Sequence, residues 1–203
     1  MSRVRRHGHD RDRGAVLIEF ALITPVLVLI MLGVFEYGNA WRQITSIERA
    51  TQQGGRTVSS QANGRYADYE TLRAIDAAMS GTSGLDVVRV VIWNANSNDT
   101  VPPACLATPQ SGLCNTYTGS VLTSSSTAPF PGGSSTAPSC AGGVDASWCP
   151  VGRNRTGSSP DRIGVHITAE YTPVTGLLPG PKVTIERSAI YQIEPCAQGM
   201  STC

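Results

Sequence analysis

Between Gly14 and Glu36 the chain has a single ionisable side chain, Glu19, set in the run AVLIEFALITPVLVLIMLGVF over residues 15–35. A carboxylate in hydrocarbon costs about 2.5–3.5 kcal/mol on insertion scales, and it is kept when it is paired or close to the interface. Its available chemistry is ion pairing, and the question is which cation it meets. The second reactive set is Cys105, Cys114, Cys140, Cys149, Cys196 and Cys203, whose chemistry in an oxidising compartment is disulfide formation. Their spacing, C-x8-C, C-x8-C and C-x6-C, favours three local loops, although spacing alone leaves other connectivities open.

Other groups carry weaker signals. His7 and His9 stand two residues apart in a basic N-terminal stretch, short of the roughly four ligands a structural metal site needs. His166 lies in a strand pattern with no second ligand at metal spacing, so it reads as a sheet residue. Asn94, Asn96, Asn98 and Asp99 alternate oxygens but lack the glycine and the terminal acid of a calcium loop, and read as a polar turn. Arg5-Arg6 is not followed by the hydrophobic continuation of a twin-arginine signal, and the Asn98 and Asn154 sequons serve as loop markers. No nucleophile with a base, carboxylate pair or phosphate-cradling loop occurs in recognisable context. The chain therefore reads as a non-enzyme, with no catalytic, cofactor-binding or metal residues, and its net charge of +1 gives no footprint for nucleic acid.

These groups must be positioned by surrounding elements. As a helix, residues 15–35 rise roughly 30 Å, one bilayer core. Arg3, Arg5, Arg6, Arg11 and Arg13 precede the run, and the next basic residues are Arg42 and Arg49, which orients the N-terminus to the cytoplasm and the rest outside. That orientation puts every cysteine where disulfides persist. A secretory signal cleaved after Ala40 fits less well, because the run is longer than a typical signal core and contains Glu19.

Beyond the span, Tyr37, Trp41, Ile44 and Ile47 continue a helical stripe over residues 36–60, with Gly54-Gly55 expected to stop the helix near residue 53 and Pro25 to bend it. Residues 61–203 then form the head. Tyr69, Leu72, Ile75 and Met79 make a second helix with Asp68 as its expected N-cap. Residues 85–93, 163–171 and 183–194 have strand composition, which predicts a small antiparallel sheet of three strands. Residues 94–162 read as a long loop. Within it, 14 of the 17 residues 123–139 are Ser, Thr, Pro or Gly, a composition expected to stay exposed and flexible.

The stretch RGAVLIEFALITPVLVLIMLGVFEYGNAWRQ resembles the N-terminus of the TadE-like pseudopilins of tight-adherence (Tad, or Flp) type IV pilus systems. Arg13-Gly14, Glu19-Phe20, Pro25 and Glu36-Tyr37-Gly38 carry the likeness, and AEYTPVTGLLPG between two strand patterns is similar to the ending of such proteins. The resemblance implies cleavage between Gly14 and Ala15 by a prepilin peptidase, removing a basic leader of residues 1–14, with Glu19 and Phe20 used in subunit assembly. It implies an α+β fold in which a long N-terminal transmembrane helix continues into an extracytoplasmic pilin-like head with a disulfide-stapled loop. The implied role is a minor pilin or pseudopilin in assembly or priming of a Tad-type pilus, serving surface attachment. Its implied partners are the prepilin peptidase, other pilins and pseudopilins, secretion platform proteins and the membrane. A membrane-anchored extracellular binding module is the alternative with the same topology.

Overall fold

A segment without polar side chains has to bond its backbone to itself, and a helix does so. The computed structural model describes residues 9–130, 140–155, 159–176 and 180–195, and of residues 9–13 the backbone alone. In it, helix α1 is His9–Gln61, 53 residues and about 80 Å long. The other helices are α2, Ala67–Met79, and the short α3, Pro103–Ala107. The strands are β1, Leu85–Asn94, β2, Cys114–Thr118, β3, Arg162–Tyr171, and β4, Val183–Gln192.

The fold is α+β, with a four-stranded sheet in the order β2-β1-β3-β4 and every neighbouring pair antiparallel. Three strands were expected. The fourth, β2, comes from the stretch read as loop, because CNTYT is short, polar and without apolar alternation. It is a strand because it pairs with the edge of β1 from Arg89↔Thr118 to Trp93↔Cys114. The disulfide Cys105–Cys114 ties its first residue to α3.

Period-2 alternation sorts the sheet into two faces. Val90, Ile92, Tyr117, Ile163, Val165, Ile167, Ala169 and Tyr171 pack against Ile47, Ala50 and Val58 of α1 and Leu72, Ile75 and Met79 of α2. On the other face a smaller cluster of Val91, Trp93, Ala95, Cys105 and Cys114 is covered by α3. The stripe at 69, 72, 75 and 79 is thus the packing face expected of α2, although Tyr69 is only partly buried there.

Helix α1 does not stop near residue 53. Gly54 and Gly55 remain helical because other elements touch the backbone there: a Cβ on Gly54 would lie 2.7 Å from Ile75 Cγ1, and one on Gly55 would overlap the Tyr191 ring. Each glycine costs an exposed helix about 1 kcal/mol relative to alanine, and the approach of α2 and β4 offsets that cost. The helix ends after Gln61, where Ala62 takes φ 51° and the Gly64 N–H bonds the Gln61 carbonyl at 2.7 Å.

The stretch around 94–162 is more ordered than its composition led us to expect. Besides β2 and α3 it buries Leu122, Phe130 and Trp148 in the main core, with Phe130 edge-on to Tyr69 at 5.6 Å between ring centroids. Of the Ser-rich segment, residues 131–139 lie outside the described residues.

Gly164 faces Trp93 across β1 and β3, and any Cβ at position 164 would overlap the fully buried indole. Gly164→Ala should therefore destabilise the head by about 1–3 kcal/mol, the usual cost of overpacking, although alanine is otherwise the better strand residue. Chemical denaturation of the full chain in detergent, followed by tryptophan fluorescence, measures this.

Candidate functional site

From residue 14 to residue 35, every residue of α1 is exposed except the half-buried Thr24. Leu17, Phe20 and Met31 stand 69%, 66% and 72% exposed, so apolar side chains face outward all round. Among the described residues α1 is the one helix long and apolar enough to cross a membrane. Glu19 is an exposed carboxylate in this surface, four residues and one helical turn after Ala15. Phe20 lies beside it in sequence and is also exposed. The Gly14–Ala15 bond lies inside α1, and the helix continues through Pro25. Proline has no N–H to give the carbonyl four residues back, that of Ala21; one residue earlier, the Thr24 hydroxyl donates to the Phe20 carbonyl at 2.7 Å.

One residue past the span, the surroundings change. Glu36 is 1% exposed and its carboxylate accepts four hydrogen bonds from the end of β3 and the turn beyond it. Oε1 accepts from the Tyr171 hydroxyl at 2.9 Å and the Val174 N–H at 3.0 Å. Oε2 accepts from the Thr175 N–H at 2.7 Å and the Thr175 hydroxyl at 2.6 Å. The Thr175 hydroxyl does most to hold the Glu36 carboxyl below its ordinary range, and with the other donors it outweighs burial, which acts the other way. Burial, and then the bond to this carboxylate, push the Tyr171 phenol up. One carboxylate thus brings the helix at Glu36-Tyr37-Gly38 together with Tyr171, Val174 and Thr175.

The comparison with protein families matches residues 14–56 to TadE, described as TadE-like protein. Residues 14–56 are similar to TadE-like proteins. The match falls wholly within α1, from the proposed cleavage point to just beyond the glycines that receive α2 and β4. Neither a curated protein nor a solved structure matches the chain. This match supports a protein associated with the Tad pilus and the membrane.

Outside the TadE-like match the head is held by a buried polar network that the sequence reading missed. Asp68 is not the N-cap of α2. Tyr66 occupies that position without a side-chain bond, and Asp68 is fully buried. Its Oδ1 is ion-paired to Arg153 Nη1 at 2.7 Å. Its Oδ2 accepts from Arg153 Nη2 at 2.8 Å, Asn115 Nδ2 at 2.9 Å and the Tyr117 hydroxyl at 2.5 Å. Asn115 also exchanges hydrogen bonds with the Trp148 backbone, donating at 2.9 Å and accepting at 2.8 Å. The Arg153 guanidinium lies 4.2 Å from the centre of the Trp148 ring. One carboxylate so joins α2 to β2 and to Arg153, and Asn115 and Arg153 in turn hold the Trp148 carbonyl of the loop closed by the disulfide Cys140–Cys149. A signal was available: Asp68 stands four residues before Leu72 and seven before Ile75, on the apolar stripe. Burial first, then the nearby Asp68 charge, push the Tyr117 phenol up.

The remaining candidates have ordinary surroundings. His166 lies on β3, its Nδ1 2.8 Å from the Ser188 hydroxyl and its Nε2 3.2 Å from that of Thr168, and burial lowers its pKa. The Asn96 side-chain Oδ1 accepts the Arg162 backbone N–H at 2.7 Å, and Asp99 pairs with the Arg162 guanidinium at 2.7 Å. Cys105 is bonded to Cys114 and Cys140 to Cys149. Cys196 and Cys203 lie outside the described residues, as does His7.

Removing one partner of a buried ion pair leaves the other charge uncompensated. Arg153→Met should cost about 3–5 kcal/mol of head stability, read as the denaturation midpoint of the full chain in detergent. Asp145, fully buried nearby, gives a pH signature. Burial and then the Asp68 charge push its carboxyl up to about 6 from an ordinary 3.8. The folded state then binds the proton more tightly than the unfolded one, so this contribution is complete below pH 3.8 and is lost as pH rises through about 6. Asp145→Asn should remove that loss from the pH dependence of the midpoint.

Proposed function

We propose that this chain is a minor pilin or pseudopilin that takes part in assembly or priming of a Tad-type pilus. The observation that carries the reading is the outward-facing apolar surface of residues 15–35, within the TadE-like match, where Glu19, one turn from Ala15, is the one ionisable side chain. Residues 1–14 form a cytoplasmic leader, residues 15–35 span the membrane, and the head lies on the far side. A prepilin peptidase adds water across the Gly14–Ala15 bond, leaving a carboxylate on Gly14 and an ammonium on Ala15. In low dielectric that ammonium is the cation Glu19 requires, offered by its own chain or by a neighbour. Between chains the pair sets axial register, with Phe20 packing beside it and Pro25 bending the helix to follow its neighbours.

The partners in this scheme are the peptidase, other pilins and the platform that extracts them from the bilayer. They meet α1, while the disulfide-tied loops of the head face outward.

Mass spectrometry of the mature protein should find Ala15 as its first residue, and an intact leader on a functional protein would favour the anchored binding module instead. Glu19→Gln should leave membrane insertion unchanged and lower pilus assembly by about tenfold or more, the worth of a charge-assisted bond. Counting surface pili in a strain carrying the variant reads this directly, and normal piliation would overturn the pairing.

A further inference from the structure

The Glu36 clasp sets the height of a second element. Phe35 is the last residue of the apolar run, and the Val174 and Thr175 N–H groups bond the very next side chain at 3.0 and 2.7 Å. Glu36 Cα stands about 1.5 Å along the axis from that of Phe35, and the headgroup zone on each side of a bilayer is several ångströms deep. The turn 172–176 therefore lies within that zone whenever residues 15–35 span.

Its surface suits the location. Val174 is 69% exposed, and no charged residue occurs between Glu170 and Lys182. Those two flanking charges neutralise each other at 2.6 Å, so neither brings an unpaired charge to the boundary. On α1, Tyr37 and Trp41 are 68% and 58% exposed, within two turns of the span's end, where amphipathic rings concentrate in membrane proteins. Gln43, which bonds the Ser83 carbonyl at 3.1 Å, is about 10 Å further along the helix than Glu36.

We propose that the turn 172–176, pinned by Glu36, is a second membrane contact: a foot through which the head rests on the phospholipid headgroup region beside its own span. Exposed Val174 is the inserting side chain, and Trp41 and Tyr37 anchor the helix at the same level. The occupant is lipid because the surface is continuous with the span. The head is then seated at two points, which restricts its swing about the helix axis. This rests on the single-span reading and is independent of cleavage after Gly14 or of any pilus.

Photo-crosslinking tests it on the full chain in vesicles of phosphatidylethanolamine and phosphatidylglycerol. The photoreactive p-benzoylphenylalanine is installed singly in place of Val174, of Leu29 in the span, or of Ser97 beyond the far end of β1, and lipid adducts are read by mass spectrometry. Lipid adducts at 174 and 29 but not at 97 are expected. Glu36→Ala should lower the adduct at 174 by about tenfold and leave that at 29 unchanged, since it removes charge-assisted bonds. Thr175→Val, which takes away one bond only, should give a smaller loss in the same direction. No lipid adduct at 174 while 29 reacts would overturn the proposal. So would an adduct at 174 to a second protein chain, which would make the turn a subunit contact. Unchanged labelling in both variants would overturn pinning by Glu36, and no adduct at 29 would overturn the span itself.

Discussion

The carboxylate of Glu36 sits where one continuous helix changes solvent. Before it, residues 15–35 of α1 are apolar apart from Glu19 and Thr24, and none of them is buried by the described residues. After it, the same helix becomes the spine of a folded head. An isolated buried carboxylate would be too costly to keep, so the side chain is bearable only with donors around it. Tyr171, Val174 and Thr175 supply them from a turn more than 130 residues later in the chain. That requirement brings the end of β3 down to the helix, and the rest of the sheet follows from its register.

From that junction the head is built outward in layers. Gly54 and Gly55 let α2 and β4 approach the backbone of α1, and the sheet presents its apolar face to both helices. The long polar stretch between β1 and β3 is then held on by three unlike devices. It contributes β2 to the sheet edge, it is stapled by two disulfides, and it delivers Arg153 to Asp68 in the interior. None of these depends on apolar periodicity, which explains how so polar a segment is ordered at all.

The sequence was most legible where a single element decides the outcome. The span, its lone carboxylate and the TadE-like likeness are properties of one helix, and the strands β1, β3 and β4 announce themselves by β-branched runs. It was least legible where a residue's role depends on a distant partner. Asp68 at the head of a helix has the local signature of a cap, and its burial is decided by Arg153, 85 residues away. Gly54-Gly55 has the local signature of a helix stop, and only the presence of Ile75 and Tyr191 shows that the missing Cβ atoms are needed for contact.

By itself, then, the sequence determined the apolar span, the TadE-like likeness of the N-terminal stretch, the spacing of the cysteines and three of the four described strands. Those are set by hydropathy, periodicity and composition within a window of at most a few turns. The tertiary structure alone decided how far α1 extends, that CNTYT is a strand, that Asp68 is the centre of a buried network, and that Glu36 joins the anchor to the head. Each of these turns on desolvation. Whether a glycine is a break or a contact, or a carboxylate a cap or a core ion, depends on what removes water from it, and that partner lies elsewhere in the chain.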